Sequence, residues 1–169
     1  DVIQRTLLLM RYDLKLKDIE DERDLAPTLP DVIGDRHGLQ QVVLNLLTNA
    51  AQAVADNPAS RPRRIGVTTW GDDLVHLRVT DSGPGIPEDV APSIFTPFFT
   101  TKEPGKGTGL GLSITYSIVV SHGGLITVEP PPPPLGRAGK GRAVGASFRV
   151  DLPPAPAAAK RSVLLVDDD

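Results

Sequence analysis

Residues 81–114 read DSGPGIPEDVAPSIFTPFFTTKEPGKGTGLGLSI. An acid, Asp81, leads into Gly83 and Gly85, and a second glycine cluster follows at 105, 107, 109 and 111. The first pair lets backbone come close to a flat ligand beside a carboxylate. The second frees backbone N–H groups to wrap around phosphates. The apolar segment after it, Leu110 to His122, is expected to be a helix closed by Gly123-Gly124, and its N-terminus favours negative charge. Residues of these types in this order are suited to holding a nucleotide.

Outward from this stretch, the pattern predicts one α/β domain. Asp35 caps a helix whose apolar positions Leu39, Val42, Val43, Leu46, Leu47, Ala50, Ala53 and Val54 recur at helical spacing. Two strands, Arg64–Trp70 and Leu74–Thr80, are joined by a tight Gly71-Asp72-Asp73 turn. Pro87 to Ile94 reads as a short helix, and Leu125–Glu129 and Ala146–Leu152 as strands flanking a Pro/Gly-rich insertion, 130–145. Asp1 to about Arg11 is helical without a capping start, like the interior of a longer helix. Leu14 to Glu20 (LKLKDIE) alternates like a half-exposed strand.

The chain has 169 residues, 40% of them hydrophobic, enough for one core. A net charge of −3 gives no electrostatic footprint for nucleic acid. With no cysteines there are no disulfides or thiolate metal sites, which fits a reducing cytoplasmic setting. No apolar run approaches the roughly 20 residues that cross a bilayer, so membrane contact by this segment is not expected.

Asn45 and Asn49 lie four apart on one helix face, with Gln41 and Gln52 extending the stripe. Two readings stand: a solvated, internally hydrogen-bonded stripe, or amide oxygens facing a hard cation such as Mg²⁺ carried by phosphates. Phe95, Phe98 and Phe99 likewise read as core packing or as anchors of the loop between the two glycine clusters. The glycine run lacks the third glycine of the G-x-G-x-x-G dinucleotide fingerprint, and no G-x-x-x-x-G-K-[ST] loop is present.

Taken together, LQQVVLNLLTNAAQAV, DSGPGIP, IFTPFFTTK and GKGTGLGLSI resemble, in order, the N box, first glycine box, F box and second glycine box of the ATP-binding catalytic domain of bacterial sensor histidine kinases. That domain belongs to the superfamily of gyrase and the heat-shock chaperones. The resemblance covers about residues 35–152. It implies a two-layer α/β sandwich, a mixed sheet with helices on one face (the Bergerat ATP-binding fold).

The resemblance also implies roles. Asp81 would accept a hydrogen bond from the exocyclic amine of adenine, with Gly83, Gly85 and Ile86 giving the purine room. Asn49 would ligate Mg²⁺, and Asn45 the metal or phosphates. Gly107, Thr108, Gly109, Leu110 and Gly111 would offer amides to the phosphates, with Lys102 and Lys106 adding positive charge. Residues 95–109 would form a lid, and His122 would be structural. In hydrolytic relatives a glutamate one turn before the metal asparagine activates water; here that place is Asn45, which points to phosphoryl transfer, the alternatives being a related ATPase or serine-directed kinase, or a degenerate nucleotide-binding module. The implied partners are ATP or ADP, a histidine-bearing helical dimerisation domain, and a receiver domain or response regulator.

No acceptor motif is present within the chain. Residues 1–13 are expected to be the end of, or junction with, that helical domain, 14–152 the catalytic domain, and 153–160 a linker. The segment 161–169 (RSVLLVDDD) resembles the first strand of a receiver domain, as in a hybrid kinase; a solvated acidic tail is the other reading. The segment itself is expected to be monomeric and the whole protein a homodimer, cytoplasmic or anchored to a membrane from elsewhere.

Overall fold

Asp35 caps the central helix through its carboxylate, which accepts from His37 N at 3.1 Å and Gly38 N at 2.8 Å. In the computed structural model, which describes residues 2–58, 60–102, 107–130 and 145–156, this helix is α2 (Arg36–Ala55). Its stripe of Val42, Val43, Leu46, Leu47, Ala50 and Val54 is buried as the spacing requires, joined by Ala51, while Leu39 and Ala53 are half-buried.

The first helix, α1 (Val2–Leu16), runs further than expected and overturns the strand predicted at Leu14–Glu20. Leu7, Met10 and Leu14 continue one buried helical stripe, and that periodicity prevails over the local alternation. Asp18, with φ 54, closes the helix. Ile19 N donates to Leu14 O at 2.9 Å and Asp18 N to Lys15 O at 3.2 Å, a Schellman ending in which Ile19 and Leu14 are both buried.

The strand at this end is β1 (Glu20–Leu25), one step further along. It pairs in parallel with β2 (Arg64–Gly71), which forms the expected hairpin with β3 (Val75–Asp81). β4 (Leu125–Glu129) and β5 (Ser147–Leu152) complete a five-stranded mixed sheet of order β1-β2-β3-β5-β4. α3 (Gly111–Ser121) ends as predicted: Gly123 has φ 70, and Gly124 N donates to Val119 O at 3.0 Å. The short helix expected at Pro87–Ile94 is reduced to turns and one 3₁₀ turn, Ala91–Ser93. Pro92 supplies no N–H with which a longer helix could continue.

The three helices pack on one face of the sheet and share its core. Ile65 and Val67 of β2, Leu77 and Val79 of β3, Phe148 and Val150 of β5 and Ile126 of β4 meet α1, α2 and Val119 of α3 there. The other face is polar. His76 lies 2.6 Å from Asp151 and 2.9 Å from Asp72, stacked on Trp70, with the Arg78 guanidinium 4.7 Å from the Trp70 ring centre. Burial pulls His76 down, but the hydrogen bonds to Asp151 and Asp72 prevail and hold it above its ordinary value.

His122 joins the helical layer at the C-terminal end of α3, away from the second glycine cluster. Its Nε2 accepts from Asp35 N at 2.9 Å, so Nδ1 carries the proton and donates to Ile118 O at 2.7 Å. The loop before α2 must be glycine at 34, where a Cβ would lie 2.2 Å from the His122 ring. Calls on 131–144 and 157–169, including the receiver-like strand, lie outside the described residues.

Candidate functional site

Asp81 ends β3 nearly buried, at 8% exposure, facing a cavity of about 910 Å³ beside α2. Its Oδ1 accepts two backbone N–H groups, from Gly83 at 2.8 Å and Ala146 at 3.2 Å. Oδ2 makes no hydrogen bond among the described residues, so one carboxylate oxygen is left for a ligand. Burial pushes this carboxyl up from its ordinary value, and the two N–H donors oppose that. Gly83 is forced by packing: a Cβ would lie 2.9 Å from both Ala53 O and Asp81 Oδ1. Gly85, with φ 85, and Ile86 line the cavity. Asn57, buried, donates to Ser82 O and Pro62 O and holds the loop after β3 in place.

The second glycine cluster lines the same cavity at the start of α3, with Gly107, Thr108, Gly109 and Gly111 at its wall. Leu110 is the N-cap, and no side chain caps the first turn, so its N–H groups remain available. Gly109 has φ 66, and a Cβ there would lie 2.4 Å from the Phe98 carbonyl carbon. Phe98 N donates to Gly109 O at 2.9 Å.

Of the three phenylalanines expected to anchor the loop, Phe95 and Phe99 are half-buried against the core. Phe98 does not anchor it through its ring. Its φ of 67 turns the side chain outward to 74% exposure, and its backbone makes the tie instead. Lys102 lines the cavity and donates to Gln52 Oε1 of α2; burial lowers its ammonium pKa. Lys106, like Gly105, lies outside the described residues.

Asn45 and Asn49 both line the cavity but differ in their bonding. Asn45 Nδ2 donates to Gly111 O at 3.0 Å and Thr115 Oγ1 at 3.2 Å, and its Oδ1 accepts from Gln41 at 2.7 Å. It fastens α2 to α3. The Asn49 amide makes no hydrogen bond among the described residues and can turn to a ligand. No cluster of three His, Cys, Asp or Glu able to hold a metal occurs among the described residues.

Two contributors escape a reading of motifs. The Asn57 side chain holds the loop after β3 by donating to backbone carbonyls, and Ala146 holds Asp81 through its backbone N–H; neither lies in a recognisable motif.

Comparisons place this geometry in a family. The model of the histidine kinase-, DNA gyrase B- and HSP90-like ATPases matches residues 34–156. Sensor histidine kinase ZraS of Escherichia coli (strain K12) is 41% identical over 128 residues, which is 75% of this chain and 26% of ZraS. Among solved structures, the mycobacterial sensor histidine kinase MprB is 35% identical with a TM-score of 0.74, covering 92% of this chain and 93% of that one. Histidine kinase ThkA, in complex with the response regulator TrrA, is 30% identical with a TM-score of 0.69, covering 92% and 40%. This chain therefore belongs to the histidine kinase-, DNA gyrase B- and HSP90-like ATPase family, and within it to the ATP-binding catalytic domains of sensor histidine kinases.

Proposed function

We propose that this domain binds Mg-ATP between Asp81 and the start of α3 and donates the γ-phosphoryl group to a histidine on a separate helical dimerisation domain. The observation that carries the reading is that one cavity is lined both by a buried carboxylate, Asp81, with one oxygen left unbonded among the described residues, and by an uncapped, glycine-led helix N-terminus. An adenine amine fits the first and phosphates fit the second.

ATP with its magnesium supplies the phosphoryl group and much of the charge neutralisation. The chain's own residues position it. Asp81 Oδ2 accepts from the base, the amides of 107–111 and the first turn of α3 hold phosphate oxygens, and Lys102 leaves Gln52 to add a positive charge. Asn49 offers its amide oxygen to the metal. Asn45 serves this site first as a brace, since a metal contact would compete with Gln41 for its Oδ1.

No side chain at Asn45 can take a proton from water, so transfer requires an acceptor that brings its own nucleophile. That acceptor, a response regulator or receiver domain downstream, a homodimeric whole protein and a cytoplasmic location for this domain complete the proposal. A receiver beginning within 161–169 would make the whole protein a hybrid kinase. Among the described residues no helix is long and apolar enough to cross a membrane.

The test is titration of the protein and of Asn49→Ala with ATP, with and without chelator. A metal ligand predicts a loss of affinity or transfer confined largely to the magnesium condition. A variant matching the wild type in both conditions returns Asn49 to a surface stripe.

A further inference from the structure

The chain re-enters the sheet at Gly145 and Ala146, against the base-facing end of the cavity. Gly145 has φ 138, and a Cβ there would lie 1.8 Å from Asp81 O and 2.8 Å from Asp81 C, so no side chain fits unless one strand moves. Ala146 is bonded to Asp81 twice: its carbonyl accepts from Asp81 N at 2.9 Å, and its N–H donates to Asp81 Oδ1 at 3.2 Å. A Cβ on Gly85 would lie 3.1 Å from Gly145 O, so the glycine loop after Asp81 rests on the same residue. These contacts continue the register of β3 and β5 one residue beyond its last pair, Thr80 with Ser147, and there the Ala146 N–H turns to the Asp81 side chain.

We infer that Gly145 and Ala146 are positioning and specificity-determining residues for base recognition: Gly145 lets the chain pass against Asp81, and the Ala146 N–H clamps Oδ1 so that Oδ2 alone is presented to the base. The inference rests on the reading of Asp81 as acceptor for the adenine amine. With both N–H groups on one oxygen, the plane of the carboxylate is set and the free oxygen has one place. With only the Gly83 N–H left, the carboxylate can turn. Burial, which already pushes this carboxyl up, is then opposed by one donor instead of two. A protonated carboxyl offers an O–H to the guanine carbonyl, which the clamped carboxylate repels. The clamp therefore acts on the ratio of adenine to guanine affinity as well as on affinity.

Calorimetry of wild type and Gly145→Ala with ATP and with GTP, at pH 6 and pH 8, beside thermal melting of each, is the experiment. The expected result is a folded variant that binds ATP at least tenfold more weakly, with the ATP:GTP ratio reduced by a similar factor and the loss larger at pH 6. Wild-type affinity, ratio and pH dependence in the variant overturn the inference. So does an equal loss for both nucleotides, which is what a merely structural role gives.

Should Gly145→Ala fail to fold, the Ala146 amide resonance of the wild type decides. It must shift with protonation of Asp81 and on addition of ADP, and a resonance silent to both overturns the clamp. Equal binding of ATP and GTP by the wild type overturns the assignment of Asp81 itself, and the inference with it, and is recognised without any variant.

Discussion

At the scale of single residues, the site turns on which polar atoms are already bonded and which are free. Asp81 is buried with one oxygen saturated, and its raised pKa has a defined consequence for stability. A carboxyl whose folded pKa lies above its unfolded value makes the native state bind more protons than the unfolded one between the two. Stability is then lost as pH rises through that window. Asp81→Asn keeps an acceptor for Gly83 and Ala146 and carries no charge. The ligand-free variant is therefore expected to melt no lower than the wild type at pH 7, with any advantage shrinking as the pH falls from the raised folded value toward the ordinary carboxylate value. Its amide N–H₂ would meet the adenine amine donor to donor, so ATP affinity is expected to fall by about 10²-fold or more, with the ATP:GTP preference moving toward GTP. Melting curves across pH and calorimetry with both nucleotides check the two halves separately. Asn45 and Asn49 show the same contrast, one amide committed to Gly111 and Thr115 and the other open.

Among the elements, α1 and the hairpin carry the clearest tests. α1 ends on Asp18 at φ 54, a conformation that costs an L-residue about 1–2 kcal/mol and glycine little. Asp18→Gly is expected to raise stability by up to about 1 kcal/mol, and Asp18→Val to lower it by about 1–2 kcal/mol. Urea denaturation reads both. On the outer face of the sheet, His76 sits between Asp151 and Asp72 with its pKa raised. The stabilisation from its charged form is complete below the unfolded histidine value near 6.5 and is lost as pH rises through the higher folded value. His76→Gln is thus expected to be destabilised by about 1–3 kcal/mol at pH 6 and by progressively less toward pH 9. A pH-independent difference would show that packing against Trp70, not charge, is what His76 supplies.

For the molecule as a whole, α2 is the part through which everything else is arranged. Its buried face sits on β2 and β3, its cavity face carries Asn45 and Asn49, and its two ends meet His122 and the loop after β3 through Asp35 and Asn57. The chain spans about a quarter of the length of ZraS (26%), and partners for transfer are proposed to lie on other segments. With γ-labelled ATP, the 169-residue chain alone is expected neither to label itself nor to release phosphate at an appreciable rate. Acid-labile, base-stable label is expected on an added dimeric helical domain bearing a histidine, at a low rate because no tether raises its local concentration. Robust phosphate release by the chain alone would favour a hydrolytic reading of the site.

What the sequence determined by itself is what short-range chemistry dictates. The Asp35 cap, the stripe along α2, the Gly123-Gly124 stop, the hairpin about residues 71–74 and the ordered motifs of the site all depend on neighbours within a few positions. Tertiary structure decided the rest. β1, EDERDL, has no apolar alternation to announce it, and becomes a strand because β2 offers it a parallel edge. LKLKDIE alternates, yet Leu14 is claimed by the stripe that α1 lays on α2. Phe98 belongs to an aromatic motif but points to solvent, because the backbone bond to Gly109 sets its φ. Asn45 and Asn49 share one face of the helix, and Asn45 is committed because Gly111 and Thr115 of α3 take its Nδ2 while Gln41 holds its Oδ1. Gly145 is one glycine among sixteen in the sequence, and only the fold brings it against Asp81, where no other residue fits.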